Sequence, residues 1–207
     1  MTMISIQPLS DVLGARIEGV DLSQRLSDAD FKTIEAALHR HCFIMFPKQN
    51  LTARQFHAFS KHWGRAEPHV IDTFHHPDIA DILVLSNVEK DGKPTGLKDA
   101  GTYFHSDYSY LDVPARCTML YALQMPEVGN GTTFANQALA YAELPLALQE
   151  RIKPPSADLS SVVMDRMGRQ LALVYRCGSN RLASGWHHEQ LAPRSSGAEA
   201  AQCTMST

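Results

Sequence analysis

The chain has 207 residues, 44% of them hydrophobic and 20% charged, with 12 Gly and 11 Pro, which excludes collagen-like, low-complexity and wholly disordered classes and suits one domain around one core. A formal net charge of −3 with scattered Lys and Arg supplies no basic footprint for nucleic acid. Cys42, Cys117, Cys177 and Cys203 stand far apart without a CxxC pair, which argues against a zinc finger or a disulfide framework and leaves ten histidines as the one unusual count.

The amino terminus has no basic start followed by an apolar run, and no stretch approaches 18 apolar residues, so a cytoplasmic protein off the membrane is expected. Residues 4–6 and 15–20 alternate apolar with polar, as half-buried strands do. Ser27 followed by Asp30 reads as a helix start. Phe31, Ile34, Ala37 and Leu38 then share one helical face, and the helix ends near His41. The run 43–46, bounded by Pro47, reads as a buried strand. Thr52 and Gln55 repeat the capping signal ahead of Phe56, Phe59 and Trp63, with Gly64 as the stop.

A strand is expected at 82–88, followed by a polar, turn-rich loop over 89–101. A second strong strand covers 117–123, a turn covers 126–131, and a helix over 137–152 rests on Leu139, Ala142, Leu146, Leu148 and Ile152. After Ile152 only 171–175 reads as a strand, and the small, polar end of the chain predicts poor order. Strands interspersed with short helices, without a regular βαβ rhythm, predict a mainly β sandwich or barrel flanked by helices.

His105 and Asp107 are two apart, which on an extended strand turns both side chains to one face. With one more distant histidine they would complete a 2-His-1-carboxylate iron site, although a surface or loop pair has the same spacing. A zinc hydrolase using His105, Asp107 and another histidine leaves the Gly-rich turn before Thr132 unexplained and has no placed general-base glutamate.

The segments LGARIEGVDLS, HRHCFIMFPKQNLTARQFHAFSKHWG and FHSDYSY, with Thr132 after the turn PEVGNG, resemble the taurine dioxygenase-like family of Fe(II)/2-oxoglutarate-dependent oxygenases from about residue 5 to about residue 152. The resemblance implies a double-stranded β-helix, the jelly roll of clavaminate synthase-like enzymes, incomplete at its C-terminus. It implies Fe(II) held by His105 and Asp107, and 2-oxoglutarate as co-substrate with its distal carboxylate at Thr132, unless Thr132 only caps its turn. It further implies molecular oxygen and a small, anionic substrate of the sulfonate or aryloxyalkanoate kind. His69 stands where some members place a substrate-contacting histidine, or else is an ordinary loop histidine. Cys42 occupies a position that the family usually fills with glycine, from which a local consequence is expected.

The family's last third supplies a second iron histidine and a 2-oxoglutarate arginine, for which His187, His188 and Arg194 are faint matches. Residues 1–152 thus read as the oxygenase core and 153–207 as a divergent, partly disordered segment. Either an internal deletion or a slipped coding frame after about residue 152 accounts for it, and the weak apolar periodicity favours the slipped frame. A chain of this kind is expected to be weakly active or inactive, with a non-catalytic jelly-roll binding protein as the alternative. Neither nucleic acid nor membrane is an expected partner, and a homo-oligomer is left open.

Overall fold

The computed structural model describes residues 3–98, 104, 107–108, 115–125, 132–152, 171–175 and 199–206. Strands β1 (Ser5–Pro8) and β2 (Ala15–Glu18) pair antiparallel. Helix α1 (Asp28–His41) begins where Ser27 Oγ accepts the Asp30 amide at 3.1 Å. Asp28 and Asp30 lie in its first turn and His39, Arg40 and His41 in its last, the arrangement that the helix dipole favours. Ile34, Ala37 and Leu38 form its buried face. It ends at Cys42, whose backbone is left-handed at φ 60° while its N–H reaches Leu38 O at 2.8 Å, a position that glycine usually fills. The chain then enters β3 (Phe43–Met45).

Helix α2 (Ala53–Ser60) carries a complete capping box. Thr52 Oγ1 accepts the Gln55 amide at 3.3 Å, and Gln55 Oε1 accepts the Thr52 amide at 2.9 Å. Its Phe56 and Phe59, with Trp63 from the following 3-10 turn, are buried, each contributing about 2–3 kcal/mol by transfer from water. Next come β4 (Arg65–Glu67), β5 (His75–His76), β6 (Ile79–Ser86) and the pair β7 (Glu89–Lys90) and β8 (Lys93–Pro94). The sequence reads 89–101 as a loop; within it, Asp91 and Gly92 take φ 52° and 71° and close a hairpin, the two-residue turn that an Asp-Gly pair favours. Gly96 lies against β6, where a Cβ would stand 2.7 Å from Val84 O, so only glycine lets this backbone approach.

Strand β9 (Cys117–Gln124) follows, and the helix expected over 137–152 divides into α3 (Gln137–Ala142) and α4 (Leu146–Ile152). Pro145 causes the break, because it has no amide to donate and its ring clashes with a continuing helix. Strand β10 (Leu171–Tyr175) forms as expected. Beyond the expectation, Glu199–Ser206 forms β11. It is no frayed end: it pairs antiparallel with β9 on one side, and with β6 and then β4 on the other.

The main sheet runs in the order β1-β2-β3-β10-β9-β11-β6-β5. The β2-β3, β3-β10 and β10-β9 pairs are parallel. One buried cluster joins residues of α1, α2 and the 3-10 turn to Ile17, Ile44, Ile82, Met119 and Met205 of the sheet. Tyr121 pins β9 to the entry of α2: its hydroxyl accepts the Leu51 amide at 2.8 Å and donates to Gln49 O at 3.3 Å.

Candidate functional site

Strands β9 and β11 carry two unlike faces. Their register sets Thr118 opposite Thr204, Leu120 opposite Gln202, and Met119 opposite Cys203. Since side chains alternate along a strand, Cys117, Met119, Tyr121, Ala201, Cys203 and Met205 enter the buried cluster with the helices. Thr118, Gln202 and Thr204 turn the other way.

Asp107 lies on that second face. Its Oδ2 accepts a hydrogen bond from Thr118 Oγ1 at 2.8 Å and another from Gln202 Nε2 at 3.1 Å. Behind Thr118, the Thr204 hydroxyl stands 3.5 Å away and is buried. Asp107 and Tyr108 form a turn, with Tyr108 left-handed at φ 54°, so the aspartate is not in the extended strand that its spacing suggests. The anionic oxygen suits a divalent metal, and the two donors named are neutral. Hydrogen-bonded support of this kind is what ligating carboxylates ordinarily have. His105, the other half of the pair, lies outside the described residues, as do His187, His188 and Arg194. Among the described residues no group of three His, Cys, Asp or Glu side chains could hold a metal.

His69 is brought to this turn. Its ring meets Tyr108 edge to face, centroids 6.1 Å apart. Its Nδ1 accepts the Ile71 amide at 3.0 Å, and His75 Nε2 donates to its carbonyl at 2.9 Å. A loop histidine is thereby oriented beside Asp107–Tyr108 rather than left free in solvent. Thr132 is exposed, and among the described residues no hydrogen bond joins it to Asp107. Two residues on, Phe134 stacks on Phe43 with centroids 4.5 Å apart, which fastens this segment to β3.

The buried thiols face away from the site. Burial pushes Cys117 up to about 12 and Cys203 up to about 11, the latter against a hydrogen bond to Ser60 that lowers it. Both therefore hold their protons near pH 7. Two open clefts lie elsewhere, one lined by Arg54, His57, Lys61 and Asp81 and the other along Arg65–Glu67. In the first, His57 Nε2 and Asp81 Oδ2 are 2.7 Å apart. Neither cleft contains Asp107, His69 or Thr132.

Thr118 and Gln202 have no counterpart among the sequence-predicted residues. A threonine in a strand and a glutamine near the chain end form no motif; only the β9–β11 register brings them together.

Residues 5–164 match the family model described as Taurine catabolism dioxygenase TauD, TfdA family. The (S)-phenoxypropionate/alpha-ketoglutarate-dioxygenase of Delftia acidovorans is 30% identical over 195 residues, covering 89% of this chain and 63% of that protein. The alpha-ketoglutarate-dependent 2,4-dichlorophenoxyacetate dioxygenase of Cupriavidus pinatubonensis is 31% identical over 157 residues, covering 70% and 54%. The chain thus spans 63% and 54% of the lengths of these two relatives. A crystal structure of a taurine dioxygenase from Burkholderia xenovorans superposes with a TM-score of 0.68 over 98% of this chain and 90% of that one, at 19% identity. The mainly β, helix-flanked architecture is therefore the double-stranded β-helix of such oxygenases.

Proposed function

Because the chain belongs to the Taurine catabolism dioxygenase TauD, TfdA family, we propose that it acts as an Fe(II)- and 2-oxoglutarate-dependent dioxygenase on a small organic anion. The observation that carries the proposal is the Asp107 carboxylate, held by Thr118 and Gln202 on the sheet face turned away from the packed core. Asp107 and His105 would hold the metal, and Thr132 would hydrogen-bond the distal carboxylate of 2-oxoglutarate. When bound, iron and keto acid supply the oxidising power: 2-oxoglutarate is decarboxylated to succinate and CO2, one oxygen atom of O2 enters succinate and the other hydroxylates substrate.

The chain's own residues orient and select. Thr118 and Gln202 keep Asp107 from rotating away. His69, set against Tyr108, would meet a substrate carboxylate or sulfonate, and the aromatic edge beside it suits an apolar body. Phenoxypropionate, dichlorophenoxyacetate and taurine, named for the relatives, all pair an anionic head with such a body or a short one.

The test is succinate release from 2-oxoglutarate by the full chain, with phenoxyalkanoates and taurine as substrates, before and after removal of metal by EDTA. Weak substrate-stimulated release that EDTA stops, and that Asp107→Ala abolishes, is expected of this chain. Substrate binding without release of succinate would overturn the oxygenase reading in favour of a non-catalytic jelly-roll binding protein.

A further inference from the structure

Asp107 belongs to a turn, so no sheet ladder fixes the direction of its carboxylate. Two strands supply that hold instead. Thr204 lies directly across from Thr118, and Gln202 is two residues from Thr204 on the same face. Thr118 and Gln202 are therefore diagonal neighbours, a spacing of roughly 7–8 Å. A carboxylate oxygen within hydrogen-bond distance of both has to sit over the seam between β9 and β11, as Oδ2 does.

The chemistry of the two donors matters as much as their position. A lysine or arginine there would bring a positive charge that repels a metal cation, whereas a hydroxyl and a carboxamide orient the oxygen without that competition. The Thr204 hydroxyl, behind Thr118, can donate to Thr118 Oγ1 and leave the Thr118 proton directed at Asp107. Gln202 reaches the site from β11, which is clamped between β9 and β6.

We propose that Thr118 and Gln202 are positioning residues which act through Asp107 to set the protein's affinity for its metal, so that the strand Glu199–Ser206 is a working part of the metal centre. The proposal rests on Asp107 being a metal ligand, and the experiment separates the two.

Mn(II) alone serves as the probe, bound by the full chain and followed by loss of the free-ion electron paramagnetic resonance signal. Loss of one supporting partner typically weakens metal binding about 10-fold to 100-fold. Thr118→Val and Gln202→Leu are each expected to raise the Mn(II) Kd about 10-fold, and the pair about 100-fold. Thr118→Ser keeps the hydroxyl and should stay within about 3-fold of the parent chain. If Gln202→Leu does not fold, Gln202→Asn withdraws the amide by one methylene and carries the same expectation. In an Asp107→Ala background neither substitution should weaken binding further, which a merely structural role would not produce.

Weaker binding in Asp107→Ala, with Thr118→Val and Gln202→Leu at parental affinity, would overturn the positioning role and leave Asp107 as ligand. Unchanged affinity in Asp107→Ala would overturn both. Losses that persist without Asp107 would show the two residues acting elsewhere and overturn the inference.

Discussion

Strands β9 and β11 present opposite chemistries on opposite faces although the residues alternate along the same backbone. Toward the helices they show Met119, Tyr121, Cys203 and Met205, packed with Phe56, Phe59 and Trp63. Toward the other side they show Thr118, Gln202 and Thr204, with Asp107 held over their seam. The apolar face needs volume and tolerates no charge; the polar face needs donors at fixed distances. One pair of strands can meet both demands because successive side chains point to opposite faces. The two faces should therefore fail independently.

The largest test removes volume from the apolar side. Phe56 is fully buried and stacks on Tyr121 with centroids 5.7 Å apart. Phe56→Ala is expected to cost about 3–5 kcal/mol in urea unfolding, and Phe56→Leu, the milder version, about 1 kcal/mol. Both should leave the Mn(II) affinity of the folded protein near parental. An affinity falling in step with stability would mean that the two faces are one cooperative unit.

A second test uses the buried thiols. Cys117 is raised to about 12 and Cys203 to about 11, from an ordinary value of 9.0. An acid whose pKa is higher folded than unfolded keeps its proton longer in the native state. Their contribution is thus fully present below pH 9 and is lost as pH rises through 11 toward 12. The unfolding free energy of the parent chain should fall more steeply above pH 9 than that of the Cys117→Ala/Cys203→Ala variant. Parallel profiles would show that water reaches the thiols.

Legibility in the sequence follows the range of the forces involved. Helices α1 and α2 and their caps were readable because the side chains of Ser27, Thr52 and Gln55 accept amides only three residues away. The hairpin at Asp91-Gly92 and the break at Pro145 were also local, and their turn and breaker residues outweighed the wider pattern of polarity or apolar spacing. Strand β11 is different. Its sequence EAAQCTMS alternates correctly, but small residues weaken the signal, and it becomes a strand through its neighbours. The site divides the same way. Asp107 was marked by its spacing from His105, and His69 by its place after Trp63-Gly64. Thr118 and Gln202, which stand 84 positions apart in the chain and meet only through the strand register, carried no mark.

The smallest test lies where α1 hands the chain to β3. Cys42 holds φ 60° with its amide on Leu38 O, and burial pushes its thiol up. A left-handed residue with a Cβ costs about 1–2 kcal/mol, while glycine adds about 0.5–1 kcal/mol of unfolded-chain entropy. Relief of strain narrowly wins, so Cys42→Gly should raise stability by about 0.5 kcal/mol. Cys42→Val keeps the strain, adds a branch at Cβ and should lower stability. The urea midpoints should rank glycine above cysteine above valine, with Mn(II) affinity equal in all three. Because this turn feeds the apolar layer through Phe43 and Ile44, a change in affinity here would show backbone strain crossing the sheet. The separation of its faces would then hold for side chains and not for the backbone they share.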